Sequence, residues 1–100
     1  MDFGLFLEFS GHEDEDESKV FQRGFKIIDE AEGLGIDSVW LPEYHFIPIS
    51  VLSSPIAVAS SIAARTKNMR IGFGVYLLPL ANPIRAVSYT HLTLPTILLV

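Results

Sequence analysis

Short apolar runs alternate along this chain with longer segments that carry helical signals. The runs at residues 3–9, 37–41 and 70–78 have the length of strands, and the last two are each followed by proline. The segments at residues 17–34 and 55–66 lie between these runs and have the length of helices. The order strand, helix, strand, helix, strand predicts an α/β fold with parallel strands and right-handed crossovers.

Both helical segments have recognisable ends. Residues 17–34 place apolar residues three and four positions apart, which traces one stripe, and Gly35 follows where a left-handed C-terminal cap belongs. Ser54 before Pro55 is typical of a helix start, with serine as N-cap and proline in the first turn. The first stripe contains Val20, Phe21, Gly24, Phe25, Ile27, Ile28, Ala31 and Leu34.

The aromatic residues are predicted to lie mostly in the core. The run at residues 3–9 is almost continuously apolar, which favours a strand buried on both faces. Gly72 and Gly74 are expected to permit a strand kink or a close approach. The aromatic residues predicted to be core are Phe3, Phe6, Phe9, Phe21, Phe25 and Trp40.

The connections between these elements are unequal. The helix-to-strand turns at residues 35–36 and 67–69 are tight, whereas both strand-to-helix loops have roughly ten residues, the upper limit of ordinary connections. The carboxyl ends of parallel strands are where α/β folds carry their sites. The segment WLPEYHF, residues 40–46, lies on that edge and presents a glutamate, a tyrosine and a histidine just past a strand.

Composition and charge exclude several classes of function. The formal charge of −5 argues against a nucleic-acid partner, and the lack of cysteine leaves no disulfide framework or thiolate metal site. No apolar run approaches the ~20 residues that span a bilayer, and the N-terminus lacks the basic lead of a secretory signal. We therefore expect a soluble, cytoplasmic protein with no membrane partner.

The first strand-to-helix loop separates two α/β architectures. A dinucleotide-binding fold needs a glycine-rich loop that holds a pyrophosphate, but SGHEDEDES contains five consecutive carboxylates, which would repel one. A (β/α)8 TIM barrel suits the unequal loops, although it takes eight strands. The prediction is therefore an α/β fold formed by the first three βα units of an incomplete (β/α)8 TIM barrel.

Four stretches together resemble the bacterial luciferase-like, flavin-dependent monooxygenases. They are MDFGLF, AEGLGIDSVWLPEYHF, SSPIAVASSIAARTKNMRIGFGV and LPLANPIR, and they cover most of residues 1–85. The resemblance implies a barrel enzyme that uses reduced FMN and O2 to oxygenate a small organic substrate, with a separate flavin reductase as a possible partner and a homo-oligomeric parent. It leaves open a deazaflavin (F420)-dependent dehydrogenase on the same barrel, which transfers hydride without oxygen.

The resemblance also assigns roles to individual residues. Glu43 and His45 match the family's glutamate and second histidine, and Gly74 and Val75 match the strand end that backs the flavin ring. Tyr44 stands where the luciferases proper have a histidine, so a light-emitting reaction is not expected. The flavin phosphate site is implied to lie in a second half of the barrel that this chain does not contain.

The residues by themselves leave the chemistry of the EYH triplet open. A histidine titrates near neutral pH and can shuttle a proton, and a neighbouring carboxylate can orient it. As alternate residues, Glu43 and His45 would point to opposite sides of an extended segment and share no role. A zinc site lacks a third ligand at convincing spacing, because His12 and His91 stand in very different contexts.

After residue 86 the chain departs from the family pattern. Residues 87–96, VSYTHLTLPT, resemble the conceptual translation of a transposon-based sequencing adapter. We expect residues 1–86 to be the N-terminal part of a luciferase-like barrel domain and residues 87–100 to be a non-native, adapter-derived tail. On this hypothesis Tyr89 and His91 carry no function, the chain alone is inactive, and the activity belongs to a longer parent enzyme.

Overall fold

The computed structural model describes residues 1–90 and 97–98. Its strands form one parallel sheet in the order β1-β2-β3-β4, and helices follow the first three strands. The elements are β1 (Gly4–Phe6), α1 (Glu17–Gly33), β2 (Ser38–Leu41), α2 (Pro55–Arg65), β3 (Arg70–Phe73), a 3-10 turn (Leu78–Leu80), α3 (Pro83–Tyr89) and β4 (Ile97–Leu98). The predicted α/β fold with parallel strands is confirmed.

The sheet is in continuous register across its first three strands. Phe6 of β1 pairs with Trp40 of β2, and Trp40 pairs with Gly72 of β3. Strands β1 and β3 are shorter than the apolar runs from which they were predicted, because the backbone turns away from the sheet soon after Phe6 and soon after Phe73. In β1 the turn is made by Phe9, which adopts a positive φ of 50° and is buried.

Helix α1 begins and ends where the sequence predicts. The Asp16 carboxylate accepts a hydrogen bond from the Ser18 amide at 3.0 Å and so caps the helix, and Gly35 takes the left-handed conformation at φ 87°. Gly24 lies directly under the Phe9 ring, where a Cβ would overlap Cε2 and stand only 2.5 Å from Cδ2. Glycine at this position therefore lets the loop after β1 pack on the helix.

Helix α2 starts at Pro55 as predicted, and Ser54 occupies the N-cap position without capping the helix through its side chain. The Ser54 hydroxyl makes no capping hydrogen bond, since its backbone, at φ −132° and ψ 82°, is outside the usual N-cap geometry. At the other end the Thr66 hydroxyl donates to the Ile62 carbonyl at 2.7 Å and closes the helix.

The helices cover only one face of the sheet. The side chains of β2 and β3 that point toward α1 and α2 are fully buried and Leu5 of β1 is partly buried, whereas Phe3 and Phe6 remain 57% and 51% exposed. The predictions of a first strand buried on both faces and of core positions for these two residues are thus wrong. Phe6 points to the second face, on which the described residues place no helix, and Phe3 precedes β1 at the amino end of the sheet. The core consists of Phe9, Val20, Ile28, Ala31, Val39, Leu41, Leu52, Val58, Ala59, Ile62, Met69, Ile71, Phe73 and Ala86.

Polar contacts fasten the helices to the amino-terminal edge of the sheet. Arg65 of α2 makes a two-pronged ion pair with Asp29 of α1, at 3.1 and 2.8 Å, and its guanidinium lies 4.8 Å from the centre of the Phe25 ring. Glu32 accepts the amides of Lys67 and Asn68 at 2.8 and 3.0 Å. These contacts hold the turn into β3 at the amino-terminal edge, whereas the long loops lie at the carboxyl edge.

The segment predicted to be foreign is partly helical. Residues 87–89 complete α3, and β4 pairs in parallel with β3. His91, to which the sequence assigns no function, lies outside the described residues. None of the helices in the described part of the chain is both long and apolar enough to cross a bilayer.

Candidate active site

The loop after β2, residues 42–53, brings Glu43 and His45 into contact. The His45 Nε2 atom lies 2.6 Å from Glu43 Oε2, with the glutamate side chain 8% exposed and the imidazole 33% exposed. The expectation that an extended segment points these two side chains to opposite sides is wrong. The loop turns here, and the Tyr44 amide donates to the Leu52 carbonyl at 2.8 Å. The two sequence-predicted residues therefore form one pair.

The chemistry of this contact fixes the proton on one nitrogen. An ionised carboxylate can only accept, so Nε2 must be the donor and carry the hydrogen. Because a neutral imidazole carries a single proton, this leaves Nδ1 as the acceptor of the neutral ring. The arrangement resembles the general pattern in which one ring nitrogen is held so that the other can exchange a proton.

Glu43 also joins two loops. Its Oε1 atom accepts the Leu77 amide at 3.2 Å, a bond that reaches 34 residues along the chain to the segment after β3. Glu43 thus uses one oxygen for His45 and the other for this segment. Sequence spacing gives no signal for this second contact.

Tyr76 lies near the same carboxylate. Its ring packs edge-on against Phe73 at 5.4 Å, and burial, followed by the charges of Tyr89 and Glu43, raises the pKa of its phenol above the usual value. The phenol therefore stays protonated at neutral pH.

Tyr44 faces the opposite side of the loop. Its hydroxyl donates to Glu8 Oε1 at 3.4 Å, just past the end of β1. Burial and, after it, the Glu8 carboxylate raise the pKa of the Tyr44 phenol, so this group too remains a hydrogen-bond donor. The only sequence signal for Glu8 is that it is the single acid within the first apolar run.

Gly74 and Val75 lie at the carboxyl end of β3. The Gly74 amide donates to the Leu41 carbonyl at 2.9 Å, the peptide bond between the two residues is cis, and the Val75 side chain is about half exposed. A Cβ at Gly74 would meet Phe6 at 3.4 Å, an ordinary contact. Phe6, Gly74 and Val75 together form an open apolar surface at the strand ends, which fits one face of a planar ring.

Trp40 occupies the uncovered face of the sheet beneath this surface. A Cβ on Gly72 would stand 2.6 Å from the benzene part of the indole, and one on Gly4 would stand 3.2 Å from the indole nitrogen. The indole therefore lies across three strands, and its N–H donates to the Ser38 hydroxyl at 3.2 Å. The absence of a side chain at Gly72 therefore makes room for the indole ring. The sequence predicted a strand kink or a close approach at this position without identifying Trp40 as the neighbour.

The loops after β1 and β2 hold each other. Ser10 and Ser50 form an antiparallel bridge, and the Gly11 amide donates to Ile49 at 2.8 Å. The acidic loop is itself anchored by Arg23, which bonds Glu15 at 2.6 and 2.9 Å. The Arg23 hydrogen bond, with help from the His12 amide, lowers the pKa of Glu15 to about 2. In the described part of the chain, no three His, Cys, Asp or Glu side chains are grouped to hold a metal.

Comparison with known proteins places this geometry in a family. The profile of the Luciferase-like monooxygenase family matches residues 1–89. The alkanal monooxygenase alpha chain of a Kryptophanaron alfredi symbiont is 30% identical over 92 residues, and limonene 1,2-monooxygenase of Rhodococcus erythropolis is 29% identical over 97 residues. The two alignments cover 92% and 93% of this chain but only 26% and 25% of the relatives.

Solved structures show the same fold. The oxygenating constituent of 3,6-diketocamphane monooxygenase from Pseudomonas putida, a type II Baeyer–Villiger monooxygenase in complex with FMN, matches with a TM-score of 0.87 at 21% identity. Monooxygenase RslO1 from Streptomyces bottropensis matches with a TM-score of 0.84 at 21% identity. Each match covers 99% of this chain and 28% or 32% of the other chain.

These structural matches show the fold, which is that of the first βα units of a (β/α)8 TIM barrel. The chain belongs to the luciferase-like monooxygenase family, as its sequence predicts. It spans about a quarter of the length of the curated relatives and roughly 30% of the solved ones.

Proposed function

We propose that this chain supplies the first part of the active site of a flavin-dependent monooxygenase that uses reduced FMN and O2 to oxygenate a small organic substrate. The observation that carries the proposal is the Glu43–His45 pair. Its Oε2 and Nε2 atoms lie 2.6 Å apart, in the loop that follows the carboxyl end of β2. The family match supports the reaction class, and the FMN complex of a relative supports the cofactor.

Reduced FMN, when bound, would supply the electrons with which O2 is activated. The residues that we assign to hold its ring are Gly74 and Val75, because they present an open apolar surface next to Phe6. The same surface would exclude water from one face of the ring. No residue of this chain is assigned to the flavin phosphate, which we place in further βα units of a parent enzyme.

His45 is the proposed proton-handling group. Its Nε2–H is held by Glu43, which leaves Nδ1 to accept a proton and return it as the reaction proceeds. A fixed imidazole of this kind contributes typically 10²–10⁴-fold to a rate. Glu43 is the proposed orienter, because it also bonds the segment that follows Gly74 and Val75.

The assay that tests this role uses the parent enzyme, with reduced FMN and a panel of organic substrates. We expect His45→Gln to lower turnover by about 10²-fold or more with flavin binding unchanged. His12→Gln is the matched control, since His12 is exposed in the acidic loop, and it should leave turnover intact. Equal turnover in the two variants would remove His45 from the mechanism.

The same assay separates the two cofactor hypotheses. Oxygen uptake that depends on reduced FMN supports the monooxygenase. Substrate oxidation that proceeds without oxygen and reduces F420 would instead establish the deazaflavin dehydrogenase. We further propose that a separate flavin reductase supplies the reduced FMN and that the parent enzyme is a homo-oligomer.

For the chain of 100 residues alone we propose no catalytic activity. Reduced FMN, titrated anaerobically, should neither quench Trp40 fluorescence nor raise the melting temperature at micromolar concentration. Clear micromolar binding would contradict this proposal and show that these residues form a sufficient flavin site.

We also propose that residues 87–100 are not native to the parent gene. The test is to sequence the source DNA across residues 85–87 from an amplicon prepared without transposon adapters. A reading frame that continues into further helices and strands supports the proposal. The sequence VSYTHLTLPTILLV in that amplicon would refute it.

A further inference from the structure

The tripeptide of residues 43–45 is attached to the sheet from two sides. On one side Glu43 accepts the Leu77 amide from the segment after β3. On the other side the Tyr44 hydroxyl donates to Glu8, immediately after β1. His45 lies next to both attachments and is itself bonded only through Glu43 among the contacts of the described residues.

We infer that Tyr44, acting through Glu8, is a positioning residue that holds His45 in register with Glu43. This inference rests on the proposed function, in which His45 handles the proton. It assigns Tyr44 no contact with substrate or flavin. The role follows from the place of its hydrogen bond, which joins the loop after β2 to the end of a neighbouring strand.

The residues after His45 explain why such a brace is needed. Phe46 adopts a positive φ of 60° and is fully exposed, and Ile47 and Ile49 are also exposed. These exposed side chains give the imidazole no packing support from its C-terminal side, although the backbone further along is bonded to the loop after β1, where the Gly11 amide donates to Ile49 at 2.8 Å. The position of His45 is therefore determined by the contacts of Glu43 and Tyr44.

The Tyr44–Glu8 bond has the chemistry of a brace. The Tyr44 hydroxyl donates to a charged acceptor, Glu8, at 3.4 Å, a distance longer than that of a strong charge-assisted hydrogen bond. Burial and the Glu8 charge raise the pKa of the phenol, so the donor proton is kept across the neutral range. The Tyr44 amide adds a second bond, to Leu52 at 2.8 Å, that fixes the backbone under the ring.

The test measures the proton position on His45 by ¹⁵N NMR of the imidazole nitrogens in the chain of 100 residues, at about pH 8. In the unaltered chain we expect the hydrogen on Nε2. Tyr44→Phe should shift both ¹⁵N signals of His45 toward the average of the two tautomers. Glu8→Ala should do the same, and Glu8→Gln, which keeps an acceptor oxygen, should restore most of the original signal.

Two controls separate positioning from loosening of the structure. The imidazole of His12 should not move in any of these variants, and Trp40 fluorescence should report an intact sheet. Glu15→Gln loosens the acidic loop through Arg23 without touching the brace, and it should leave His45 unchanged.

Three results would overturn the inference. They are unchanged His45 signals in both Tyr44→Phe and Glu8→Ala, a shift in Tyr44→Phe that Glu8→Ala does not reproduce, and an equal shift in Glu15→Gln. The measurement needs no flavin and no turnover, so its failure is distinguishable from failure of the proposed function.

Discussion

Replacing Gly24 by alanine tests how the loop after β1 is held. Gly24 is buried in α1 with the Phe9 ring on it, and a Cβ there would overlap the ring at Cε2 and approach Cδ2 at 2.5 Å and Cζ at 2.9 Å. In an open helix, glycine to alanine stabilises by up to about 1 kcal/mol. Here the insertion must displace a buried ring, which costs about 1–3 kcal/mol. We therefore expect a net loss of up to about 2 kcal/mol.

Gly33 provides the matched control in the same helix. A Cβ on Gly33 would meet nothing within 4 Å, so Gly33→Ala should be neutral or stabilise by up to about 1 kcal/mol. Both variants can be compared with the unaltered chain by urea unfolding, followed by the helical circular dichroism signal. A Gly24→Ala chain as stable as Gly33→Ala would refute the packing argument.

Two further changes probe the sheet face and the acidic loop. Gly72→Ala should displace the Trp40 indole, from which the new Cβ would stand 2.6 Å, and red-shift its emission, whereas Gly74→Ala adds only an ordinary 3.4 Å contact and should not. The pKa of Glu15 is lowered from 4.5 to about 2, chiefly by the Arg23 hydrogen bond, so this pair contributes stability that is fully present above about pH 4.5 and is lost as pH falls toward 2. Arg23→Gln should flatten the dependence of unfolding free energy on pH in that window, and an unaltered slope would contradict the assignment.

The sequence predicts the order and direction of the elements because those signals are local. Gly35 takes the predicted left-handed cap, and Pro55 begins the second helix as expected. The misplaced aromatic residues have a common cause. Hydrophobicity shows that Phe3 and Phe6 favour burial, but it does not show which polypeptide segment covers them. In this chain the helices lie on the face opposite Phe6, and Phe3 precedes β1 at the amino end of the sheet.

The candidate site is predictable in position and not in geometry. Parallel strands bring their loops to one edge, so residues 40–46 could be placed there from sequence. The contact between Glu43 and His45 depends on a turn held by Leu52, and the second bond of Glu43 comes from Leu77. Such pairings are set by tertiary structure and cannot be predicted from the spacing of residues along the chain.

The two edges of the sheet carry different sets of contacts. At the amino edge, Glu32 and Arg65 tie helices to each other and to the turn into β3. At the carboxyl edge, Glu43 and Tyr44 tie one loop to the ends of the strands on both sides. In barrels of this kind the carboxyl face carries chemistry and the opposite face carries stability. The pairing of Glu43 with His45 is therefore supported by contacts that lie within this chain.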